Sequence, residues 1–557
     1  MTVFARIGIF KKINMNRRKF LLHSLGLVAG TLLSVELAKG LGLDPEAELI
    51  SLPQSVVDRK LSKYSHKLPE SDRDYMRHRS YVEEVPVPEY SWASDEAYGA
   101  FLDMKYGVRI HWGLYSIWHL EGESWPFLGN REPDINFEKR QEYQQLYKNW
   151  NPTGFNAEEW MSTFKECGLK MFAFTTKHHE GFSMFDTKTR VKKRPNWTAP
   201  GGPKMEDCDL AYSIMETPFK RDVVKELCQA ADKYGIKKDL YFSHSDWYDC
   251  NFRPYGYHPL QIPSSAEWCK SQSANEAETE FERTKIRLKD YLIVVPDPTP
   301  EEEAQMIERH RAQLKELLTN FGKIDMICLD IWLGPRVWPQ LRQTLVELRK
   351  IQPNVMFRAR GIGNYGDYYT PERFVPESKE NSDVPWFVIY PLGKSFSYDP
   401  DPKRHKGAKW IVQNIIDSAA KGGNFMVGIG PDENGRFAPE AVHQLRQVGR
   451  WLKNNGKGIY ATRAREEENW KDGDNVRFTR SKDHKTIYAH CFEWPGKELV
   501  LKTVTAKKDC TITLLGHEDV PLKWENGANG LVISTPSSLK KRVPKDEQIA
   551  FSFSVEV

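Results

Sequence analysis

The chain has 557 residues, of which 40% are hydrophobic and 12% aromatic; that length exceeds one ordinary domain, and that apolar content excludes a disordered chain. Its 80 Lys/Arg stand against 76 Asp/Glu, a formal charge of +4, which is too small an excess for a dedicated nucleic-acid binder. No repeat of about 20–50 residues is visible, which excludes a solenoid or propeller.

The mild basicity sits at the N-terminus. Asn16-Arg17-Arg18-Lys19-Phe20-Leu21 leads into an apolar run that ends at Leu37, and this looks like a twin-arginine export signal. His23, Gly26, Gly30 and Glu36 make the run a poor membrane span. Residues 1–40 are therefore expected to be a signal, cut near Ala38-Lys39-Gly40, with the mature protein periplasmic and without stable membrane insertion. They hold seven Lys/Arg and one acid, so the rest of the chain has a net charge of −2. The eight cysteines (167, 208, 228, 250, 269, 328, 491 and 510) form no Cys-x-x-Cys pair, which excludes zinc-ribbon and thioredoxin chemistry. Their scatter predicts thiols that mostly stay unpaired.

Residues 41–95 are charged, contain Pro and have weak periodicity, as in a surface arm or linker; an arm there leaves an oligomer interface open. Between about 96 and 460, short apolar strands alternate with amphipathic helices. The strands are expected at Val108–Trp112, Met171–Thr175, Leu240–Ser243, Met326–Asp330, Val355–Arg358, Phe387–Tyr390 and Phe425–Ile429. The helices are expected at Ala157–Cys167, Arg221–Tyr234, Ala304–Phe321, Leu341–Ile351, Ala408–Lys421 and Glu440–Asn454. Alternation of this kind predicts a parallel sheet covered by helices, and at least seven units over that length favour a (β/α)8-like barrel. Seven strands are legible, so the eighth is irregular or missed. From 465 to 557 the period becomes two. Val476/Phe478, Ile487/Ala489/Cys491, Leu499/Leu501, Ile512/Leu514 and Leu531/Ile533 alternate with polar residues around turns at Gly496, Gly516 and Asn526-Gly527, predicting a C-terminal antiparallel β-sandwich.

Polar and aromatic residues collect at the C-terminal strand ends, where a barrel enzyme keeps its active site, and Trp112, Trp125, Tyr241 and Trp332 are expected there beside the candidate carboxylates. The ends read Ile110-His111-Trp112-Gly113, Thr176-Lys177-His178-His179-Glu180-Gly181-Phe182, Tyr241 to Trp247, Cys328-Leu329-Asp330-Ile331-Trp332, and Arg358-Ala359-Arg360 followed by Gly366-Asp367-Tyr368-Tyr369-Thr370-Pro371-Glu372. A carboxylate closing the apolar strand at Asp330 is costly unless it is solvated or paired at a site. Two carboxylates from different strands, among His, Arg and Trp, suggest glycoside hydrolysis.

The order of these strings resembles the α-L-fucosidases of glycoside hydrolase family 29 from about Tyr106 onward, with Gly422-Gly423-Asn424-Phe425 and Ile429-Gly430-Pro431 as further matches. The resemblance implies a (β/α)8-like barrel with a C-terminal β-sandwich and a retaining exo-hydrolase that uses no metal or organic cofactor. By resemblance, Asp330 is the nucleophile and Glu372 the acid/base, with Asp367 as its rival. His111, His178 and His179 match binders of sugar hydroxyls, Tyr241 an aromatic beside the nucleophile, and Arg360 an arginine on the fifth strand, for which Arg358 competes. Glu123 and Trp125 match a Glu-Trp pair that Ser124 here interrupts. Cys328 stands where many members have Trp, a change expected to lie close to the sugar pocket, and Trp332 is expected to fill that space. The implied partner is a glycan bearing L-fucose, or L-galactose if the wall near C6 admits a hydroxyl. A metal-dependent hydrolase would want two His one residue apart on the first strand, where only His111 stands. A non-catalytic carbohydrate binder on the same scaffold predicts binding without turnover.

Overall fold

The structure is a computed structural model that describes residues 81–128, 135–253, 255–260, 295–376, 384–466 and 469–557. The expected export signal, most of the 41–95 arm and Cys269 lie outside the described residues.

Helix α1 (Asp95–Met104), capped by the Ser94 side chain, leads into strand β1 (Tyr106–Ile110). Strands β2 (Met171–Lys177), β5 (Lys237–Ser243), β6 (Met326–Asp330), β7 (Met356–Phe357), β8 (Phe387–Pro391) and β9 (Asn424–Ile429) join β1 in one parallel sheet. Its order is β7-β6-β5-β2-β1-β9-β8. Between β2 and β5 lies a hairpin of β3 (Val191–Asn196) and β4 (Lys204–Leu210), which periodicity did not reveal.

The missing eighth strand is the stretch from Tyr368 to Glu372. It bridges Arg358 through Tyr368 on one side, and Trp386 and Ile389 through Tyr369 and Glu372 on the other, all in parallel. The hydrogen bonds Ala359 N to Tyr368 O (2.8 Å) and Ile389 N to Pro371 O (3.0 Å) confirm both seams. This stretch closes the sheet into a ring. It escapes a period-two reading because Pro371 lacks an N–H and Thr370-Pro371 breaks the ladder into single bridges.

The covering helices follow from amphipathic spacing: α3 (Ala157–Glu166) and α4 (Val223–Tyr234) after the short α2 (Phe137–Tyr143), then α5 (Pro300–Thr319), α6 (Trp338–Ile351), α7 (Ala408–Ala420) and α8 (Pro439–Asn455). Inside the ring, Met171, Met326, Met356, Phe387 and Met426 form an apolar layer that Phe101 and Met104 of α1 join. Above it lies a polar layer of Arg109, Asp239, Cys328 and Arg358, all buried. Arg109 Nη2 donates to Cys328 Sγ at 2.7 Å. Burial pushes the Asp239 carboxyl up to about 7 against the pull of Arg109 and Arg358. The third layer is the candidate site, so a charged stratum separates the site from the oily floor.

Beyond α8, antiparallel strands form two sheets. The larger runs β10 (Arg463–Ala464), β12 (Val476–Arg480), β13 (Thr486–Cys491), β18 (Phe551–Glu556), β15 (Thr513–Leu514), with β11 (Lys471–Asp472) pairing with β12; the smaller runs β14 (Glu498–Leu501), β17 (Gly530–Ser534), β16 (Trp524–Gly527). Both contribute to one core that contains every apolar pair expected of the sandwich, from Val476 and Phe478 to Leu531 and Ile533. Arg477 of this domain reaches Asp417 of α7 at 2.6 Å, and Trp451 Nε1 of α8 donates to Ala550 O at 2.8 Å. The seven cysteines among the described residues are free, and no helix among them is long and apolar enough to cross a membrane.

Candidate active site

At the C-terminal mouth of the barrel a cavity of about 170 Å³ is lined by His111, Glu123, Trp125, His178, Asp330, Trp332, Arg360 and Glu372. These eight were expected from sequence. Arg358, the rival of Arg360, also lines it, as do Arg109, Tyr257, Ile331, Arg373, Ile389 and Phe396. His179 and Tyr241 stand off the wall, buried behind Asp330.

Asp330 ends β6 and points inward, two residues above Cys328 on the same face, as strand alternation demands. Its Oδ1 accepts from Arg360 Nη1 at 2.8 Å and Arg358 Nη1 at 3.4 Å, and its Oδ2 accepts from Tyr241 Oη at 2.8 Å. Burial favours the neutral acid, but Arg360 first, then Arg358, and then the Tyr241 hydrogen bond hold the carboxyl well below the usual carboxylate range. Asp330 is therefore an ionised, oriented group at neutral pH.

Glu372 is the last residue of the irregular eighth strand, and its side chain is 35% exposed. Arg360 Nη1 also donates to Glu372 Oε2 at 3.4 Å. One nitrogen thus touches both carboxylates. Asp367, the rival, lies elsewhere. It is fully buried, its Oδ1 accepting from Ala93 N (2.8 Å) and Tyr98 Oη (3.0 Å), and its Oδ2 from Phe357 N (2.8 Å) and Arg349. Every lone pair it offers is engaged, away from the cavity. Asp367→Ala strands the buried Arg349 charge and should cost about 3–5 kcal/mol of stability. A urea midpoint lowered at unchanged slope would show it, and an unchanged midpoint would refute it.

The histidines differ in their surroundings. His111 stacks on Phe396 at 5.0 Å between ring centroids. Burial, and then His178 and Arg109, hold its pKa well below the ordinary histidine value, so it is neutral. His178 Nδ1 pairs with Ser124 Oγ. The residue that interrupts the Glu-Trp pair therefore anchors a histidine, while Glu123 and Trp125 both keep their places on the wall. Glu123 Oε1 accepts from Phe396 N (2.9 Å) and Ser397 N (3.0 Å), tying the loop after β8 to the loop after β1. Behind the His178-His179 loop, Asp246 accepts from Arg309 Nη1 at 2.7 Å and lies 3.6 Å from Lys177 Nζ. Gly181 has φ 84°, and a Cβ there would stand 2.1 Å from Asp246 Oδ1, so only glycine lets the loop press this close.

Two sequence expectations change. Trp112 is not beside the carboxylates: it faces outward among Trp150, Phe155 and Trp160, because alternation that turns His111 inward turns its neighbour out. Cys328 is not a wall position either. It lies beneath Asp330 against Arg109, so the exchange of Trp for Cys there alters the cavity's support, while Trp332 lines the cavity beside Tyr257 at 5.2 Å. Tyr257, Phe396 and Arg373 lie on loops whose approach to the mouth has no period to announce it. Ile389 lay in an expected strand, and its parity alone placed it inward.

Four non-glycine residues at the cavity have positive φ: Glu123 (58°), Tyr257 (60°), Ile331 (61°) and Arg373 (64°). For β-branched Ile331 this is a rare conformation, and such strain, about 1–3 kcal/mol each, collects at sites the fold over-determines. Ile331 and Arg373 directly follow Asp330 and Glu372, so the chain turns sharply just after each carboxylate is presented.

Comparison with known proteins agrees. The family model described as Alpha-L-fucosidase matches residues 79–457, and that of the Alpha-L-fucosidase C-terminal domain matches 469–555. Human tissue α-L-fucosidase is 27% identical over 469 residues, 80% of this chain and 86% of its own length; the mouse enzyme is 26% identical over 458 residues, 78% and 87%. Among solved structures, α-L-fucosidase isoenzyme 1 of Paenibacillus thiaminolyticus has a TM-score of 0.63 at 22% identity, covering 83% of this chain and 99% of its own. A Bacteroides thetaiotaomicron α-L-fucosidase, trapped as a covalent intermediate with 2-fluoro-fucosyl fluoride, has a TM-score of 0.63 at 23% identity, covering 85% and 99%.

Proposed function

Because the chain belongs to the α-L-fucosidase family, and is thus a glycoside hydrolase, we propose that it releases terminal α-L-fucose from a glycan with retention, through a covalent glycosyl-enzyme. The observation that carries this reading is Arg360. Two carboxylate oxygens held at 2.8 and 3.4 Å by one nitrogen lie at most about 6.2 Å apart, which favours the close pairing of a retaining enzyme, ~5–5.5 Å between carboxyl groups, over the ~6.5–9.5 Å of an inverting one. In this reading Asp330, ionised and held from two sides, attacks the anomeric carbon. Glu372 gives its proton to the departing oxygen and then takes one from the water that frees the sugar. The partial exposure of Glu372 fits a group that must meet both aglycone and water, whereas Asp367 has no path to either. His111, His178, Glu123 and Trp125 remain to hold the sugar from the wall, with Trp332 and Tyr257 toward the mouth.

L-Fucose and L-galactose differ by a methyl against a hydroxymethyl at C6. Ile389 and Phe396 give the wall apolar area, which supports the methyl sugar; a contact of this kind discriminates by about 10–200-fold. Side-by-side kcat/KM on aryl α-L-fucoside and aryl α-L-galactoside tests this. A fucoside preference of at least about tenfold is the expected result, and a galactoside preference would reassign the enzyme as an α-L-galactosidase on this scaffold. The Arg17-Arg18 signal supports a periplasmic enzyme; fractionation with and without Arg17→Lys/Arg18→Lys checks it, a cytoplasmic native form being the outcome against.

A further inference from the structure

Ser243 ends β5 two residues beyond Tyr241, fully buried and off the cavity wall. Its Oγ lies 3.0 Å from Tyr241 Oη and 2.5 Å from His179 Nδ1. Tyr241 Oη in turn lies 2.8 Å from Asp330 Oδ2. These four groups form an unbroken string, and counting its hydrogens assigns every bond. An ionised carboxylate only accepts, so the Tyr241 hydroxyl hydrogen is committed to Asp330. The hydrogen between Tyr241 and Ser243 must then be that of Ser243. With its single hydrogen used, Ser243 can meet His179 only as an acceptor, so His179 carries its proton on Nδ1. Burial, and then His178, keep that imidazole neutral, which leaves Nε2 bare. Its surroundings agree: Nε2 is buried without a hydrogen-bond partner among the described residues and stands 3.8 Å from Asp330 Oδ2, too far for a hydrogen bond.

We propose that Ser243 is a positioning residue for Asp330, making His179, Ser243 and Tyr241 a one-way donor chain that ends on the carboxylate. The inference rests on Asp330 being the nucleophile. Ser243 has two effects. Donation into Tyr241 Oη polarises the phenol and strengthens its bond to Asp330, as chains of hydrogen bonds do in a buried medium. Fixing the proton on Nδ1 also keeps an Nε2–H from competing with Tyr241 for Oδ2 and pulling the carboxylate out of line. Ser245 Oγ, 3.2 Å from the same Nδ1, lies beside the string and can share the Nδ1 proton.

The test is a double-mutant cycle of Ser243→Ala and Tyr241→Phe, read as kcat/KM on an aryl α-L-fucoside and as its pH profile. Besides Tyr241, Asp330 faces Arg360, Arg358 and His179, all unchanged by these variants. Ser243→Ala should lower kcat/KM about tenfold, the worth of one buried hydrogen bond, and move the acid limb of the profile to higher pH. Ser243→Thr, which keeps the hydroxyl, should restore both. In the Tyr241→Phe background Ser243→Ala should add little, because the string is already cut. Wild-type rates and an unmoved acid limb in Ser243→Ala, or two effects that simply multiply, would overturn the proposal. Nitrogen-15 spectra of the wild-type enzyme, with His179 identified by its loss in His179→Gln, need no folded Ser243 variant. A protonated Nδ1 with a bare Nε2 supports the string, and the opposite tautomer overturns it. Activity surviving in Asp330→Ala would instead overturn the nucleophile reading, so the two failures are distinct.

Discussion

Replacing Asp330 with alanine is expected to lower turnover of an aryl α-L-fucoside by at least about 10⁴-fold, the scale on which enzymes lose a nucleophile, or about 5.4 kcal/mol of barrier at 1.36 kcal/mol per decade. Loss of a binding contact would cost far less and would appear in KM. The geometry makes a sharper prediction for the same variant. With the carboxylate gone, Arg360 and Arg358 frame a space open to a small anion, and azide entering there should attack the anomeric carbon and release the β-L-fucosyl azide. That product, identified by its stereochemistry, would show that Asp330 occupied the face of attack; full activity in the variant would remove it from the mechanism. The depressed pKa of Asp330 also sets a sign for stability. A carboxyl whose folded pKa lies below its unfolded value near ~3.9 stabilises the fold above that value, and the contribution disappears as pH falls through the folded pKa. Asp330→Ala should therefore lose the part of the acid destabilisation that this group contributes.

Glu372→Gln is the second large effect, and its signature is selectivity among leaving groups. The amide cannot give up a proton. Substrates with basic leaving groups, such as fucosyl oligosaccharides, should slow by about 10²–10⁴-fold, whereas the step that expels an activated nitrophenol needs no proton and should slow much less. The glycosyl-enzyme should then accumulate, because water attack lacks its base, giving a burst of phenol followed by slow turnover. Equal slowing on all substrates would point to a positional role for Glu372 through Arg360, which bonds both carboxylates. Asp367 should show neither signature.

Much of the site was readable without a fold because strand ends carry their chemistry locally. Ile110-His111, the His178-His179 loop and Asp330 stand where short apolar runs stop, and the family resemblance gave these positions roles. The same local logic misplaced Trp112, since a string of adjacent residues does not say which one faces inward. It also left Asp367 as a rival to Glu372: they are five residues apart on one segment. The segment's parity and its contact with Arg349 from α6 send the first into the interior and the second to the mouth. Cys328 shows the opposite case. Its departure from the family pattern drew attention to the sugar wall, whereas the polar layer beneath is where it lies.

By itself the sequence determined the alternation of strands and helices, the period-two domain that follows it, and the set of residues able to do acid, base and nucleophilic work. These follow from side-chain periodicity and residue chemistry, which act over a few residues. The tertiary structure alone decided that Tyr368–Glu372 completes the ring, that Glu123 holds a loop 273 residues away, and that one guanidinium nitrogen contacts both carboxylates. It also placed a buried serine between Tyr241 and His179 behind Asp330. Each of these depends on which strand ends meet when eight strands close on themselves, and closure is a property of the whole ring that no local period encodes.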